Sequence, residues 1–366
     1  MDHQEQIYRI GITLIPGVGD VLAKKLIAYC GSPEAVFSES KNNLIKIPDI
    51  GLKTARAITT QQVLHIAEKE VKYITQNNIK PLYFLERDYP YRLKQCEDGP
   101  VMLYSKGNIS FNTAKVISVV GTRQATQYGK SICQKLVEGL KSHKLLVISG
   151  LAYGIDIQAH KTALANQVST VGVVAHGLNM IYPSSHHNFA EKMMENGGLV
   201  TEFISGTNPE KENFPKRNRI IAGLSDAVLV IESAKKGGGL ITADIANSYN
   251  REVLAVPGNA ESTYSAGCNW LIKTNRAALV ENTSDMEYLM GWEKEKRNAV
   301  PTHAIPYHEL NEDEKTMMDL LSVGKTNIDE LFLQSKLSSS QVSATLLNLE
   351  FAGFIKSLPG KVYQLN

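Results

Sequence analysis

No apolar run in the 366-residue chain is long enough to span a bilayer, so no transmembrane helix is expected. The opening residues Met1-Asp2-His3-Gln4-Glu5 are polar and lack the basic-then-apolar pattern of a secretion signal. Four cysteines, Cys30, Cys96, Cys133 and Cys268, are scattered without metal-ligand spacing. They read as buried thiols in a reducing compartment, and a cytoplasmic location is expected. Excess charge is also missing. A net charge of +2 leaves no bulk field, so any affinity for nucleic acid must come from a local basic patch.

What is present is an ordinary globular composition, 43% hydrophobic and 21% charged, in a length that suits two or three domains. The organising stretch is Phe214-Pro215-Lys216-Arg217-Asn218-Arg219-Ile220-Ile221. Proline fits a first helical turn, where its missing N–H would be unpaired anyway. Pro215 is therefore expected to open a helix whose N-terminal turn carries Lys216, Arg217 and Arg219. A helix N-terminus with added cations is a good seat for phosphate. The competing reading is a solvated basic turn.

Between residues 81 and 290, apolar runs alternate with helical stretches. Val116–Val120, Leu145–Ile148, Thr170–Val174, Leu199–Thr201, Ala227–Ile231 and Val253–Val256 are near-continuously apolar. Such strands alternating with helices give a parallel sheet covered on both faces. The fold class is α/β, a Rossmann-like doubly wound and mostly parallel sheet. In such sheets ligands bind beyond the carboxyl ends of the strands. Gly121-Thr122-Arg123 follows the first strand, Ser149-Gly150 with Gly154 the second, and Gly237-Gly238-Gly239 the fifth. Small residues bare their backbone N–H groups, and Arg123 adds a planar bidentate phosphate ligand. With the cluster from Phe214 to Arg219, including Asn218, they form the expected phosphate-binding rim.

Cofactors and catalysis lose support. Gly121 to Gly129 departs from the dinucleotide fingerprint, and Gly129-Lys130-Ser131 lacks the glycine spacing of a P-loop. No NAD, ATP or other cofactor is expected. Asp156 and His160 stand four apart and could touch, although an Asp near a helix start is more often a cap. His176, His186 and His187 have no ligand arrangement for a metal, and His186-His187 is expected to lie exposed before a helix. Ser149 lacks the flanking glycine of a nucleophile elbow. No catalytic set and no metal site is expected.

Residues 1–80 hold a repeat: Ile15-Pro16-Gly17-Val18-Gly19-Asp20 recurs as Ile47-Pro48-Asp49-Ile50-Gly51-Leu52. Each copy resembles the turn of a helix-hairpin-helix (SAM-like) module, whose glycines let backbone N–H groups approach a DNA phosphate. The glycines equally suit close helix packing. If this segment touches DNA, the first copy, with both glycines, is the better candidate. Residues 81–104 look like short extended pieces leading into the next domain. Trp292-Glu293-Lys294-Glu295-Lys296-Arg297 begins a charged linker over 291–308. Helical patterns near 311–322, 327–334 and 338–352, then a strand-turn-strand, make residues 309–366 a winged helix. Its third helix, Ser338 to Glu350, has no Lys or Arg, which favours a protein-contact or structural module over a DNA reader.

Several of these stretches together resemble the DNA-processing protein A (DprA/Smf) family: Gly121-Thr122-Arg123, Ser149-Gly150-Leu151-Ala152-Tyr153-Gly154-Ile155-Asp156 with Ala159-His160, and Phe214 through Ser225. Tyr182-Pro183, Thr201-Glu202, Pro257-Gly258 and Gly267-Cys268-Asn269 fit it too. The resemblance implies a non-catalytic protein that binds single-stranded DNA in a basic pocket, forms a homodimer and loads the RecA recombinase during natural transformation. By resemblance, Arg123 and Phe214–Arg219 would line that pocket. Phe214 is open to two readings, a stacking platform for a base or a core residue. This chain has Gly237-Gly238-Gly239 where the family usually has Ser-Gly-Ser, and Asn275-Arg276-Ala277 where Gly-Ala usually stands. The rival function is a phosphoribohydrolase-type nucleotide enzyme, whose glycine-rich motif with a following glutamate is only partly imitated by Gly237 to Asp244.

Overall fold

Nine strands form one sheet: β1 Lys80–Tyr83, β2 Met102–Gly107, β3 Val116–Val120, β4 Leu146–Ser149, β5 Ser169–Val173, β6 Gly197–Thr201, β7 Ala227–Val230, β8 Glu252–Ala255 and β9 Ala278–Leu279. Their order is β1-β2-β6-β5-β4-β3-β7-β8-β9. From β6 to β9 every pairing is parallel. β1 and β2 add an antiparallel edge. The computed structural model describes residues 3–292, 310–358 and 361–365.

The apolar runs become strands because both faces are covered. Every residue of β3, β4, β6 and β7 is buried. On one face Val120, Ile148 and Val230 pack with Ile220, Ile221 and Ala243. On the other, Ile117, Val147 and Leu229 pack with Cys133, Leu136 and Ala159. Full burial of such aliphatic side chains is worth about 1.5–3 kcal/mol each. From β3 the chain winds outward through β4, β5 and β6, then returns to place β7 on the other side of β3. That reversal is the topological switch point, where open α/β sheets hold ligands.

The segment expected as a lead-in is part of the sheet. Gly99 to Tyr104 runs into strand β2, which lies between β1 and β6, and Tyr91–Lys94 is a short helix rather than an extended piece. Arg92 on that helix is 2% exposed and pairs with Asp226, Nε to Oδ1 at 2.6 Å.

Helices between His3 and Gln76 precede β1 and carry the repeat. Gly17 has φ of +82°, and Asp49 takes the matching left-handed conformation at +69°. Gly19 and Gly51 then cap the helices Asp20–Cys30 and Leu52–Thr59. Two copies of one turn thus share a conformation despite the Gly-to-Asp difference. Asp49 meets Lys25 at 2.5 Å. The helical core, with Ile10, Leu26, Val36 and Ile58, is continuous with Met102, Tyr104 and Leu199 of the sheet.

A second unit follows the division at Trp292. Trp292, expected in the linker, is 7% exposed in the core of the first unit, near the His143 ring. From residue 293 to 308 the expected linker lies outside the described residues. The second unit holds helices Glu312–Ser322, Ile328–Ser335 and Ser339–Phe351 and a three-stranded sheet of β10 Thr326–Asn327, β11 Ile355–Leu358 and β12 Val362–Leu365. The strand order β10-β12-β11 and the packed helices make a winged helix.

Candidate nucleic-acid interface

At the switch point, β3 delivers Gly121 and Arg123, and the helix Asn213–Gly223 delivers Phe214, Arg217 and Asn218. The helix starts two residues before Pro215, which still lies in the first turn. Together with Lys211, Gly238 and Gly239 they line an open cleft of about 460 Å³. Arg123 is exposed, and its guanidinium carbon lies 5.0 Å from the centre of the Phe214 ring. Arg217 approaches the same ring at 5.9 Å.

The helix divides the cationic cluster between two faces. Phe214, Arg217, Asn218 and Ile221 recur at three- and four-residue spacing and line the cleft. Lys216 and Arg219 line another cavity, about 650 Å³, shared with Gly19, Asp20, Asp98 and Glu202. The expectation for Arg219 is corrected here. Its Nη2 bonds Asp20 Oδ2 at 2.9 Å and also Glu202, while Nη1 donates to the Asp98 carbonyl. It is an internal ion pair that fixes the first helix-hairpin-helix turn to the sheet. Asp20 also accepts from Val101 N at 2.8 Å. Through Asp20 the first copy of the repeat is therefore a docking element, while its glycines Gly17 and Gly19 stay exposed. Lys216 is exposed, but beside acids and away from Arg123.

Arg217 is also not a free cation. It is 4% exposed, donates from Nη1 to the Val173 carbonyl at 3.0 Å and faces Asp156. Burial lowers its pKa, with Asp156 acting in opposition. Burial likewise raises the Asp156 carboxyl, offset by Arg217 and by the Ala152 amide. Gly150 is needed for this pair: a Cβ there would lie 1.6 Å from Arg217 Nη1. Its role is to make room, not to offer a bare amide.

Other expected contacts prove to build the turn. Ser149 is fully buried and donates to the Val119 carbonyl at 2.6 Å, so it presents nothing to a ligand. Thr122 N donates to Glu232 O at 2.7 Å, and Thr122 Oγ1 accepts from Gln124 N at 3.1 Å. Gly154 has φ of +80°, and a Cβ there would meet the Thr122 carbonyl at 2.2 Å. These residues hold Arg123 in place. Gly238 and Gly239 open the helix Gly238–Ser248 on the cleft wall, and nothing lies within 4 Å of a Cβ built on Gly238.

Lys211 was missed by sequence reasoning. It lies in a loop before the helix, outside any periodic pattern, and only its spacing three residues before Phe214 could have signalled it.

His160 and His186 are structural, while His187 is exposed. His160 is fully buried and its Nδ1 meets Thr170 Oγ1 at 2.7 Å, so it does not touch Asp156 as its spacing allowed. His186, expected exposed, is 5% exposed with Nδ1 2.9 Å from the Leu151 carbonyl. Among the described residues, no group of three or more His, Cys, Asp or Glu could hold a metal, and no helix is long and apolar enough to cross a membrane.

The family model described as DNA recombination-mediator protein A matches residues 80–290, which carry the sheet and the whole cleft. The chain belongs to this family. Further matches are the DprA winged helix domain over 301–361 and a SAM-like helix-hairpin-helix tandem over 11–61. Protein Smf from Synechocystis is 30% identical across the full length of both chains. DNA processing protein DprA from Bacillus subtilis is 36% identical over 56% of this chain and 69% of its own. The X-ray structure of DNA processing protein A from Streptococcus pneumoniae has a TM-score of 0.67 and 29% identity, covering 78% of this chain and 97% of its own. A structure of the Helicobacter pylori protein, which concerns its single-stranded DNA binding mode, has a TM-score of 0.53 and 26% identity over 58% of this chain and 96% of its own.

Proposed function

We propose that this recombination-mediator family member binds single-stranded DNA in the Arg123–Phe214 cleft and loads the RecA recombinase during natural transformation. It acts as a cytoplasmic homodimer and leaves the strand uncut. The observation that carries the reading is the convergence of Arg123, Lys211, Asn218 and Phe214 on one cleft at the switch point. Arg and Lys neutralise phosphates without reading sequence. A single strand offers unstacked bases, and stacking on an aromatic ring is worth about 1–3 kcal/mol per base. The binding mode studied in the Helicobacter pylori relative supports the same ligand.

The nucleotide-enzyme rival is supported less: where its motif needs a glutamate after the glycine run, this chain has Asp244, half-exposed and paired with Arg276 at 3.1 Å. On the winged helix, the outer positions Ala344, Leu347 and Phe351 of the third helix carry no charge, which supports a protein-contact role.

Fluorescence anisotropy with a labelled single strand and its duplex tests the binding. The single strand should bind more tightly, stay intact on a denaturing gel, and support faster recombinase assembly when the protein is present. Equal affinity for the duplex, or release of free base from nucleoside monophosphates, would overturn the reading.

A further inference from the structure

One residue just beyond β7, Glu232, fastens both ends of the loop that carries Arg123. Its backbone carbonyl accepts from Thr122 N at 2.7 Å. Its side chain accepts twice from Thr126, Oε2 from the amide at 2.9 Å and Oε1 from the hydroxyl at 2.5 Å. Arg123 lies between the two fastened residues. Glu232 is 2% exposed, a depth at which a carboxylate is unfavourable unless its oxygens are paired. Here the partners are amide and hydroxyl donors at the start of the helix Gln127–Gly139, whose first turn favours negative charge. Thr126 also caps that helix, accepting from Gly129 N at 3.1 Å. Gly129 leaves the space for this clasp, since a Cβ there would stand 2.0 Å from Glu232 Oε2. On the other side of the loop, Ile155 N donates to the Thr122 carbonyl at 3.2 Å. Glu232 does not itself line the cleft.

We propose that Glu232 is a positioning residue for strand binding: its carboxylate sets the loop from Thr122 to Thr126 so that the Arg123 guanidinium stands over Phe214. The proposal rests on single-stranded DNA occupying the Arg123–Phe214 cleft. The sign of the effect separates it from plain electrostatics. A negative charge near a phosphate-binding rim opposes the ligand, so deleting it would strengthen binding if charge alone mattered. Positioning demands the reverse. Without the carboxylate the loop loses its charge-assisted bonds to Thr126, and Arg123 is no longer held in one place. Ordering that side chain again on binding then lowers the affinity.

Glu232→Gln in the full chain keeps the volume and removes the charge. Its affinity for a labelled oligothymidylate should fall about tenfold, the value of one hydrogen bond to a charged group. In an Arg123→Ala background the same change should weaken binding by less than about twofold, because the residue it positions is gone. Thr126→Val should reproduce the loss and Thr126→Ser should not, since serine keeps the hydroxyl. Unchanged or tighter binding by Glu232→Gln overturns the proposal. Equal losses with and without Arg123 overturn it too, because they mark a general packing role. Should Glu232→Gln fail to fold, Thr126→Val binding as tightly as Thr126→Ser overturns it instead. Hydrogen exchange at the Thr126 amide needs no DNA and should quicken about tenfold in Glu232→Gln, and unchanged exchange removes the clasp. If exchange quickens but the unaltered chain has no affinity for the strand, the strand-binding reading has failed and the clasp has not.

Discussion

Arg123 at the end of β3 and Phe214 on the helix Asn213–Gly223 meet across the switch point, guanidinium over ring at 5.0 Å. The contact joins the two halves of the doubly wound sheet through side chains that are both presented to the cleft. A cation held over an aromatic face contributes about 0.5–1 kcal/mol at an exposed site. Its larger effect is to order a long side chain before any ligand arrives, so less entropy is lost on gripping a phosphate.

Replacing Arg123 or Lys211 with alanine should weaken single-strand binding and flatten its salt dependence. For single strands the slope of log affinity against log salt is about −0.7 per phosphate neutralised. Each loss should therefore reduce the slope by roughly that amount in an anisotropy titration at several salt concentrations. Arg123→Lys should fall between, retaining charge but losing the flat contact with Phe214 and the two-pronged hydrogen bonding. Slopes that match the unaltered protein would remove these residues from the interface.

Arg219→Ala should act on stability and not on the strand. Breaking a largely buried pair leaves Glu202 and Asp20 without their cation, at about 3–5 kcal/mol. Urea unfolding should report that loss, while the salt slope of DNA binding by the folded protein stays as it was. A reduced slope with unchanged stability would return Arg219 to the DNA site.

The contrast between Arg123 and Arg219 shows what the sequence could convey. Strand positions were legible because buried parallel strands must be apolar throughout, and the topology then placed Gly121-Thr122-Arg123 at the rim. The cationic cluster was legible as a helix but not as two faces. A step of 100° per residue sends Lys216 and Arg219 away from Phe214 and Asn218, yet only the partners Asp20 and Glu202 show which face is occupied. Asp20 is almost two hundred residues upstream of Arg219, so no local pattern carries that pairing. Gly150 is a similar case. A glycine after a strand suggests a bare amide, while here the missing side chain makes space for Arg217.

Gly150→Ala and Gly238→Ala separate these two meanings of glycine. At Gly150 the added methyl would stand 1.6 Å from Arg217 Nη1 and 2.6 Å from Asp156 Oδ2, so the buried pair must move. The expected result is a loss of several kcal/mol on unfolding, as for other disrupted buried charges. Gly238 has open space around it, and alanine there should change stability by about 0.5 kcal/mol or less. Equal melting curves for the two variants would contradict the packing described around Arg217.

His160 should make the protein sensitive to acid. Thr170 Oγ1 donates to the Val147 carbonyl at 3.0 Å, so it accepts from His160 Nδ1–H and fixes the neutral ring. Burial pushes the His160 pKa down to about 3, with His186 and Arg217 adding repulsion. In the unfolded chain the same group takes a proton near pH 6.5. Between these values the unfolded state binds the proton and the folded state does not. Stability is therefore complete above about pH 6.5 and falls as pH drops toward about 3. At about pH 5 the shortfall from this one group is on the order of 2 kcal/mol. His160→Gln cannot titrate and should lose less stability between about pH 7 and pH 5 than the unaltered chain, by roughly that amount in urea melts. His176, whose pKa burial also lowers, is common to both proteins and cancels in the difference. Parallel losses in the two proteins would mean that His160 is not held neutral by the fold.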